Sequence, residues 1–228
     1  MEPVILQAKM LTKSFKRDSD SVHVLRGINF SVHEKDCVAI MGASGAGKST
    51  LLHLLGTLDR PTSGQVCFGV NQVDLWKKSD EELSRFRNET LGFVFQFHYL
   101  LPEFSAIENV MLPALVAGKT DRQARGLAKE ILDFMGMGHR IEHRPAELSG
   151  GEQQRVAIAR AVILKPKLIL ADELTGNLDS ENGKKVMDLL LHLNQGLGIA
   201  VLIVTHDAEI ARRIKRVYTM KDGELLTS

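Results

Sequence analysis

Residues 42–50 have the types and spacing of a loop that binds phosphate groups, and the first eight of them fit the pattern G-x-x-x-x-G-K-[ST]. Glycines without a Cβ let backbone N–H groups approach and point at phosphate oxygens. The lysine supplies positive charge, and the hydroxyl after it can ligate Mg²⁺. An apolar strand precedes the motif and an apolar helix follows it, which disfavours a chance match. The predicted phosphate-binding residues are Gly42, Ala43, Ser44, Gly45, Ala46, Gly47, Lys48, Ser49 and Thr50.

Two adjacent carboxylates, Asp172 and Glu173, follow an apolar run that reads as a buried strand over 167–171. In an open parallel sheet, ligands bind at the carboxyl ends of the strands. Asp172 is therefore predicted to hold Mg²⁺, and Glu173 to orient and polarise a water that attacks a γ-phosphate. The alternative is a pair of acidic residues that only caps the next helix.

A second candidate for phosphate contact is the helix start at 149–152, Ser-Gly-Gly-Glu. Ser149 and Glu152 form the pattern of a capping box. Gly150 and Gly151 are not needed for capping and weaken the first helical turn by about 1 kcal/mol each relative to alanine. Because they expose backbone N–H groups, we expect this helix end to face an anion as well as being capped.

Three further residues are weaker candidates when each is taken alone. His206 follows an apolar strand and could contact a γ-phosphate, although packing at a strand end would be the ordinary role. Gln96 ends another apolar strand, where a neutral amide could ligate Mg²⁺ or touch the attacking water. Phe15 could stack on a nucleotide base, or could simply pack at a loop edge.

The elements that must position these residues are predicted from hydrophobic periodicity. Short strands over 4–10, 22–25, 28–32 and 65–68 form an antiparallel N-terminal edge. Apolar strands over 37–41, 91–95, 167–171 and 199–204 alternate with helices, which predicts an α/β fold with a parallel-sheet core. Residues 97–160 show helix patterns without a clear strand. We therefore expect one domain with a core of 1–96 and 161–228 and an inserted helical subdomain of 97–160.

Composition narrows the classes of function. The 228 residues carry a formal net charge of +1, so nothing suggests broad affinity for nucleic acid. The two isolated cysteines indicate neither a zinc site nor a disulfide framework, and a reducing cytoplasm is expected. Without a signal pattern or a long apolar run, we expect that the chain does not cross a membrane and that any membrane role requires a partner.

The order of these motifs resembles the ATP-binding-cassette (ABC) ATPases, which are P-loop NTPases, across essentially the whole chain. The motifs include Leu-Ser-Gly-Gly-Glu at 148–152 and Gly-Asn-Leu-Asp at 176–179. The resemblance implies ATP and Mg²⁺ as cofactors and a homodimer of two head-to-tail copies. ATP would lie between the phosphate loop of one copy and Ser149 and Gly151 of the other, with Asp179 at the interface. The resemblance also implies that a monomer is nearly inactive.

More narrowly, 96–102 (Gln-Phe-His-Tyr-Leu-Leu-Pro), Glu-Asn-Val at 108–110 and 176–179 resemble the LolD-type cassettes of lipoprotein-releasing systems and their MacB-type and FtsE-type relatives. This implies membrane subunits resembling LolC and LolE, which would dock in a groove formed by 96–113. The chain would then act at the cytoplasmic face of the inner membrane of a Gram-negative bacterium. An FtsE-like or MacB-like ATPase, serving a periplasmic hydrolase or an efflux partner, is the alternative. A DNA-repair cassette is disfavoured by the neutral charge and by the lack of zinc-type cysteine pairs and of a heptad insertion.

One residue departs from the resemblance. Leu174 follows Glu173 at a position where these cassettes usually have proline. Because proline fixes its backbone φ angle, the turn that carries Glu173 is expected to be less rigid here.

Overall fold

The structure is a computed structural model that describes residues 2–17, 20–174, 176 and 178–227. Contacts within the chain divide it into two compact units, the first comprising Met1–Ser84 and Ala200–Ser228 and the second Arg85–Ile199. The elements in chain order are β1 (Val4–Arg17), β2 (Asp20–His33), β3 (Cys37–Met41), α1 (Lys48–Leu55), β4 (Ser63–Phe68), β5 (Val73–Asp74), α2 (Asp80–Thr90), β6 (Leu91–Val94), α3 (Ala106–Val116), α4 (Asp121–Phe134), α5 (Gly150–Val162), β7 (Leu168–Asp172), α6 (Ser180–Leu197), β8 (Ala200–Thr205), α7 (Ala208–Arg212), β9 (Arg216–Lys221) and β10 (Glu224–Thr227). In the described part of the chain, no helix combines the length and apolar character that spanning a membrane requires.

The first unit contains an antiparallel sheet with the strand order β2-β1-β4-β5. Ile28, Phe30 and Val32 alternate with more exposed neighbours and are buried, so the predicted antiparallel edge is confirmed. β1 and β2 are each longer than predicted, because residues 11–17 of β1 also pair with β2, with Phe15 opposite Val22. Gly27, with a φ of 80°, lies between the two stretches predicted as separate strands, and β2 continues through it.

The first unit also contains parallel strands, in the order β10-β9-β3-β8. β3 pairs in parallel with β8 on one side and β9 on the other. The centre of β3 is fully buried, as expected of a strand covered on both faces. The Asp-Gly pair at 222–223 predicts a terminal hairpin, and β9 and β10 form it, with positive φ at both turn residues.

The second unit contains the parallel strands β6 and β7, the C-terminal part of α2, and the helices α3, α4, α5 and α6. β6 pairs with β7, so that Val94 lies opposite Ala171. α5 contacts α3, α4, α6 and β6, and is the central helix of this unit. Residues 97–160 contain helices and turns and no strand, as their pattern predicts. The sequence predicts an amphipathic helix over 182–195 closed by Gly196, whereas α6 extends to Leu197 and is capped by Gly198, whose φ of 67° is typical of a glycine helix end.

Candidate active site

The phosphate loop follows β3 directly and leads into α1. A Cβ on Gly42 would clash with the carbonyl oxygen of Met220 in β9, so only glycine fits beside this backbone. Gly45 and Gly47 have φ angles of 79° and 103°, which side chains other than glycine rarely adopt. Gly47 is also the N-cap of α1. The glycine positions of the motif therefore match backbone positions that require glycine.

The lysine of the loop is held over the loop itself. Lys48 Nζ donates to the carbonyl oxygens of Gly42 and Ala43, at 2.9 Å each, and the side chain is buried. A buried ammonium held by carbonyl oxygens can exchange them for phosphate oxygens, which carry full negative charge. A cleft of about 460 Å³ opens beside the loop and is lined by Gly42, Ala43, Ser44, Gly45, Ala46, Thr219, Met220, Lys221 and Asp222.

His206 and Phe15 lie in the same unit as the loop. Met41 and Thr205 are partners in the parallel pair β3–β8, so His206 and Gly42 leave neighbouring strands at the same edge. His206 is exposed. Phe15 is 44% exposed on β1, and Lys13 Nζ lies 4.8 Å from the centroid of its ring. An exposed ring of this kind is suited to stacking on a base.

Asp172, Glu173 and Gln96 lie together in the second unit. Asp172 is the last residue of β7, and Gln96 comes two residues after the end of β6, the parallel partner of β7. Glu173 has a φ of 44°, in the left-handed region, and its carbonyl oxygen accepts from Gly176 N at 2.9 Å. Leu174 is buried, so its side chain anchors this turn in the core although it does not fix φ as proline would.

Gly176 leaves room for the Gln96 side chain. A Cβ built on Gly176 would lie 2.8 Å from Gln96 Nε2 and 3.3 Å from the carbonyl oxygen of Glu173. The Gln96 amide thus packs on the turn that begins with Glu173. Sequence reasoning missed this role of Gly176, because a glycine in a short loop signals a turn and not a neighbour.

The helix start at Ser149 has the predicted capping box. Ser149 Oγ accepts from Glu152 N at 3.3 Å, and Ser149 N donates to Glu152 Oε2 at 2.8 Å. The bond from the Ser149 backbone, above all, lowers the pKa of Glu152. Ser149 and Gly150 are exposed, whereas Gly151 is buried. A Cβ on Gly151 would lie 3.3 Å from Cγ and Oδ1 of Asn182. The second glycine therefore also allows α5 to pack closely against Asn182, which the sequence did not reveal.

Asp179 is the N-cap of α6. Its Oδ1 accepts from the backbone N–H groups of Asn182 and Glu181, at 2.9 and 3.1 Å, and its Oδ2 accepts from Asn182 Nδ2 at 2.7 Å. The bond from the Asn182 backbone is the largest cause that lowers the pKa of Asp179, so this carboxyl is ionised near neutral pH. Asn182 contacts the Gly151 region and binds Asp179, and it was not predicted as a site residue.

The donor chemistry fits ATP and Mg²⁺. In the first unit Ser49 offers a hydroxyl oxygen, and in the second unit Gln96 and Asp172 offer amide and carboxylate oxygens; each is a hard ligand of the kind that Mg²⁺ prefers. No group of three or more His, Cys, Asp or Glu side chains in the described ranges could hold a metal by itself.

Comparison with known proteins confirms the predicted resemblance. The sequence model of the family described as "ABC transporter" matches residues 25–176. The lipoprotein-releasing system ATP-binding protein LolD of Syntrophus aciditrophicus (strain SB) is 49% identical over 223 residues, which are 98% of this chain and 99% of the relative. The protein of the same name from Idiomarina loihiensis is 50% identical over 99% of this chain and 98% of the relative.

Solved structures agree with the sequence matches. A dimeric post-hydrolysis structure of the ATP-binding cassette MJ0796, bound to ADP and Pi, has a TM-score of 0.89 at 40% identity, over 97% of this chain and 96% of that one. CbiO1 of Clostridium perfringens, part of the ABC transporter complex CbiONQ, has a TM-score of 0.85 at 30% identity, over 99% of this chain and 88% of that one. The predicted α/β P-loop fold is confirmed. The chain belongs to the ABC transporter family and is an ATP-hydrolysing cassette that uses ATP with Mg²⁺.

Proposed function

We propose that this ATPase drives the release of lipoproteins from the inner membrane, through integral membrane subunits resembling LolC and LolE. It would act at the cytoplasmic face, held there by those subunits. The observation that carries the proposal is the identity of about half of all positions, over nearly full length, with relatives named lipoprotein-releasing system ATP-binding protein LolD. The loop after Gln96 supports it, because this loop presents large exposed apolar side chains suited to a protein partner.

Nucleotide binding is assigned to the phosphate loop. The backbone N–H groups of 42–50 and the N-terminus of α1 would surround the phosphates. Lys48 would exchange its two carbonyl partners for phosphate oxygens, and Ser49 would ligate Mg²⁺. Phe15 would stack on the adenine ring, since its ring is accessible on β1.

Hydrolysis is assigned to the residues at the ends of β6 and β7 and to His206. Glu173 would accept a proton from the attacking water, while the Gln96 amide, packed on Gly176, orients that water and offers an oxygen to Mg²⁺. Asp172 would hold the metal through its carboxylate. His206, exposed after β8, would contact the γ-phosphate. Bound Mg²⁺ would neutralise charge on the phosphates.

Two copies would form the active species. The structures of MJ0796 are dimeric cassettes, and this chain matches them over nearly its whole length. Ser149, Gly150 and Gly151 would contact the nucleotide bound to the second copy, with Asp179 at the interface. Each ATP would then be held by both copies, so nucleotide binding favours the closed dimer through contacts made only there.

The dimer is tested with Glu173→Gln, which keeps the size and hydrogen-bonding capacity of the side chain but removes its basicity. We expect turnover to be lost, ATP binding to be kept and a stable dimer to form with ATP in gel filtration. Elution of this variant as a monomer with saturating ATP would refute the shared site.

The transport function is tested by reconstitution of the chain with its own membrane subunits in vesicles that carry an acylated lipoprotein. We expect ATP-dependent release of the lipoprotein into the soluble fraction, and none with Glu173→Gln. Co-purification with a single division-type membrane protein, without lipoprotein, would favour the FtsE-like alternative and overturn the proposal.

A further inference from the structure

The docking loop, residues 97–104, presents apolar side chains to solvent on an unusual backbone. Phe97 is 62% and Tyr99 65% exposed, and Leu101 and Phe104 are also exposed. Tyr99 has a φ of 47°, a left-handed conformation that costs an aromatic residue energy and persists only when surrounding contacts enforce it. Other residues of the same chain must therefore hold the backbone of this loop in place.

One such contact is the buried side chain of Asn109 on α3. Asn109 Oδ1 accepts from Leu101 N at 2.8 Å. Its Nδ2 lies 3.1 Å from the carbonyl oxygens of Leu101 and Phe104 and 3.0 Å from that of Ser105. The Asn109 amide thus makes hydrogen bonds to the backbone at Leu101 and at Phe104, the two ends of the second half of the docking loop.

The other contact is Arg160, which lies near the C-terminus of α5. Its Nη1 donates to the carbonyl oxygen of Tyr99 at 2.7 Å, and its Nη2 donates to that of His98 at 2.8 Å. These are short, charge-assisted bonds to two successive carbonyls, and the planar fork of the guanidinium reaches them with two separate nitrogens. The residues are 61 and 62 positions apart in sequence, so this contact is wholly tertiary.

We propose that Arg160 is a positioning residue that fixes the docking loop to α5, the helix whose N-terminus is the Ser149-Gly150-Gly151 end. Arg160 holds Tyr99 in its left-handed conformation. It thereby fixes the positions of the exposed apolar side chains of the docking loop, which a membrane subunit contacts. A partner that moves the loop must move α5 with it. This inference rests on the proposed function, because it assigns the docking loop to a membrane subunit.

The test compares Arg160→Ala and Arg160→Lys with a matched control, Arg122→Ala, which removes an exposed arginine from α4 of the same unit. Each variant is measured alone and in vesicles with its membrane subunits, for ATP hydrolysis and for hydrogen–deuterium exchange of the 97–105 amides. For Arg160→Ala we expect exchange in the loop to rise about tenfold, which corresponds to about 1.4 kcal/mol. We expect the stimulation of ATP hydrolysis by the membrane subunits to fall by a similar factor, with the ATPase rate of the isolated chain unchanged.

The conservative variant separates positioning from folding. Arg160→Lys keeps the charge but lacks the planar two-nitrogen fork, so hydrogen exchange in the loop and stimulation of ATP hydrolysis should lie between those of the wild type and Arg160→Ala. If Arg160→Ala does not fold, the inference is tested with Arg160→Lys alone. The inference would be overturned if a folded variant showed faster hydrogen exchange in the loop but the same stimulation of ATP hydrolysis as the wild type. It would also be overturned if the variant lost the same fraction of ATPase activity in the isolated chain as in the complex. A wild-type chain that gains no stimulation from its membrane subunits would instead refute the proposed function.

Discussion

Gly176→Ala tests whether the position of the Gln96 amide controls hydrolysis. The added Cβ would lie 2.8 Å from Gln96 Nε2, whereas ordinary contact begins at 3.4 Å, so the amide must retreat by about 0.6 Å. The carbonyl oxygen of Glu173, at 3.3 Å, must yield only slightly. Because Gly176 does not have positive φ and the displaced group ends a flexible side chain, we expect the free energy of unfolding to change by less than about 1 kcal/mol.

The catalytic effect should be larger than the effect on stability. A misplacement of about 1 Å can cost about 100-fold in rate, so a shift of this size predicts a kcat lower by about tenfold, or about 1.4 kcal/mol of barrier. ATP affinity, measured by calorimetry, should be unchanged because the phosphate loop is untouched. Gly126→Ala is the control, since an added Cβ there meets nothing within 4 Å. Wild-type turnover in Gly176→Ala would refute the role of Gln96, and lost ATP binding would contradict the assignment of nucleotide affinity to 42–50.

Two other expectations concern the phosphate loop and the strand before it. Lys48→Ala should weaken ATP binding about 10- to 100-fold, because charge-assisted bonds to phosphate are lost; unchanged affinity in calorimetry would contradict this. Burial and, second, the charge of Asp36 raise the pKa of Cys37 to about 11. In a Cys67→Ser background at about pH 8, alkylation of Cys37 should therefore be about 100-fold slower in the folded chain than in denaturant, and equal rates would contradict this burial.

The parts that sequence predicted well depend on local information. The phosphate loop lies between an apolar strand and a helix, and its glycines match backbone positions that other residues cannot occupy. The capping box at Ser149 and the turn at Asp222 and Gly223 also involve residues close in sequence. Each of these patterns is typical of one local conformation, so the structure could be anticipated from residue types alone.

The parts that sequence missed depend on tertiary contacts or lack a periodic pattern. α2 was not predicted, because among its eleven residues only Leu83 is buried and no apolar stripe marks it. Asn109 and Arg160 look like ordinary polar helix residues until their distant carbonyl partners are known. Asn182 likewise becomes informative only beside Gly151 and Asp179. The roles of these polar side chains depend on partners that are distant in sequence, so they become visible only in the structure.

In the proposed dimer, α5 would connect the helix end that contacts nucleotide with the loop that contacts the membrane subunit. Its 13 residues span about 20 Å at 1.5 Å per residue, with Ser149 capping one end and Arg160 in the last turn. Because its inner face is buried against α3, α4, α6 and β6, the helix cannot bend without opening close-packed contacts. If dimer closure displaces the Ser149 end, as the proposed function requires, the displacement would reach Arg160 as a rigid-body motion, and the two carbonyls that Arg160 holds would follow it.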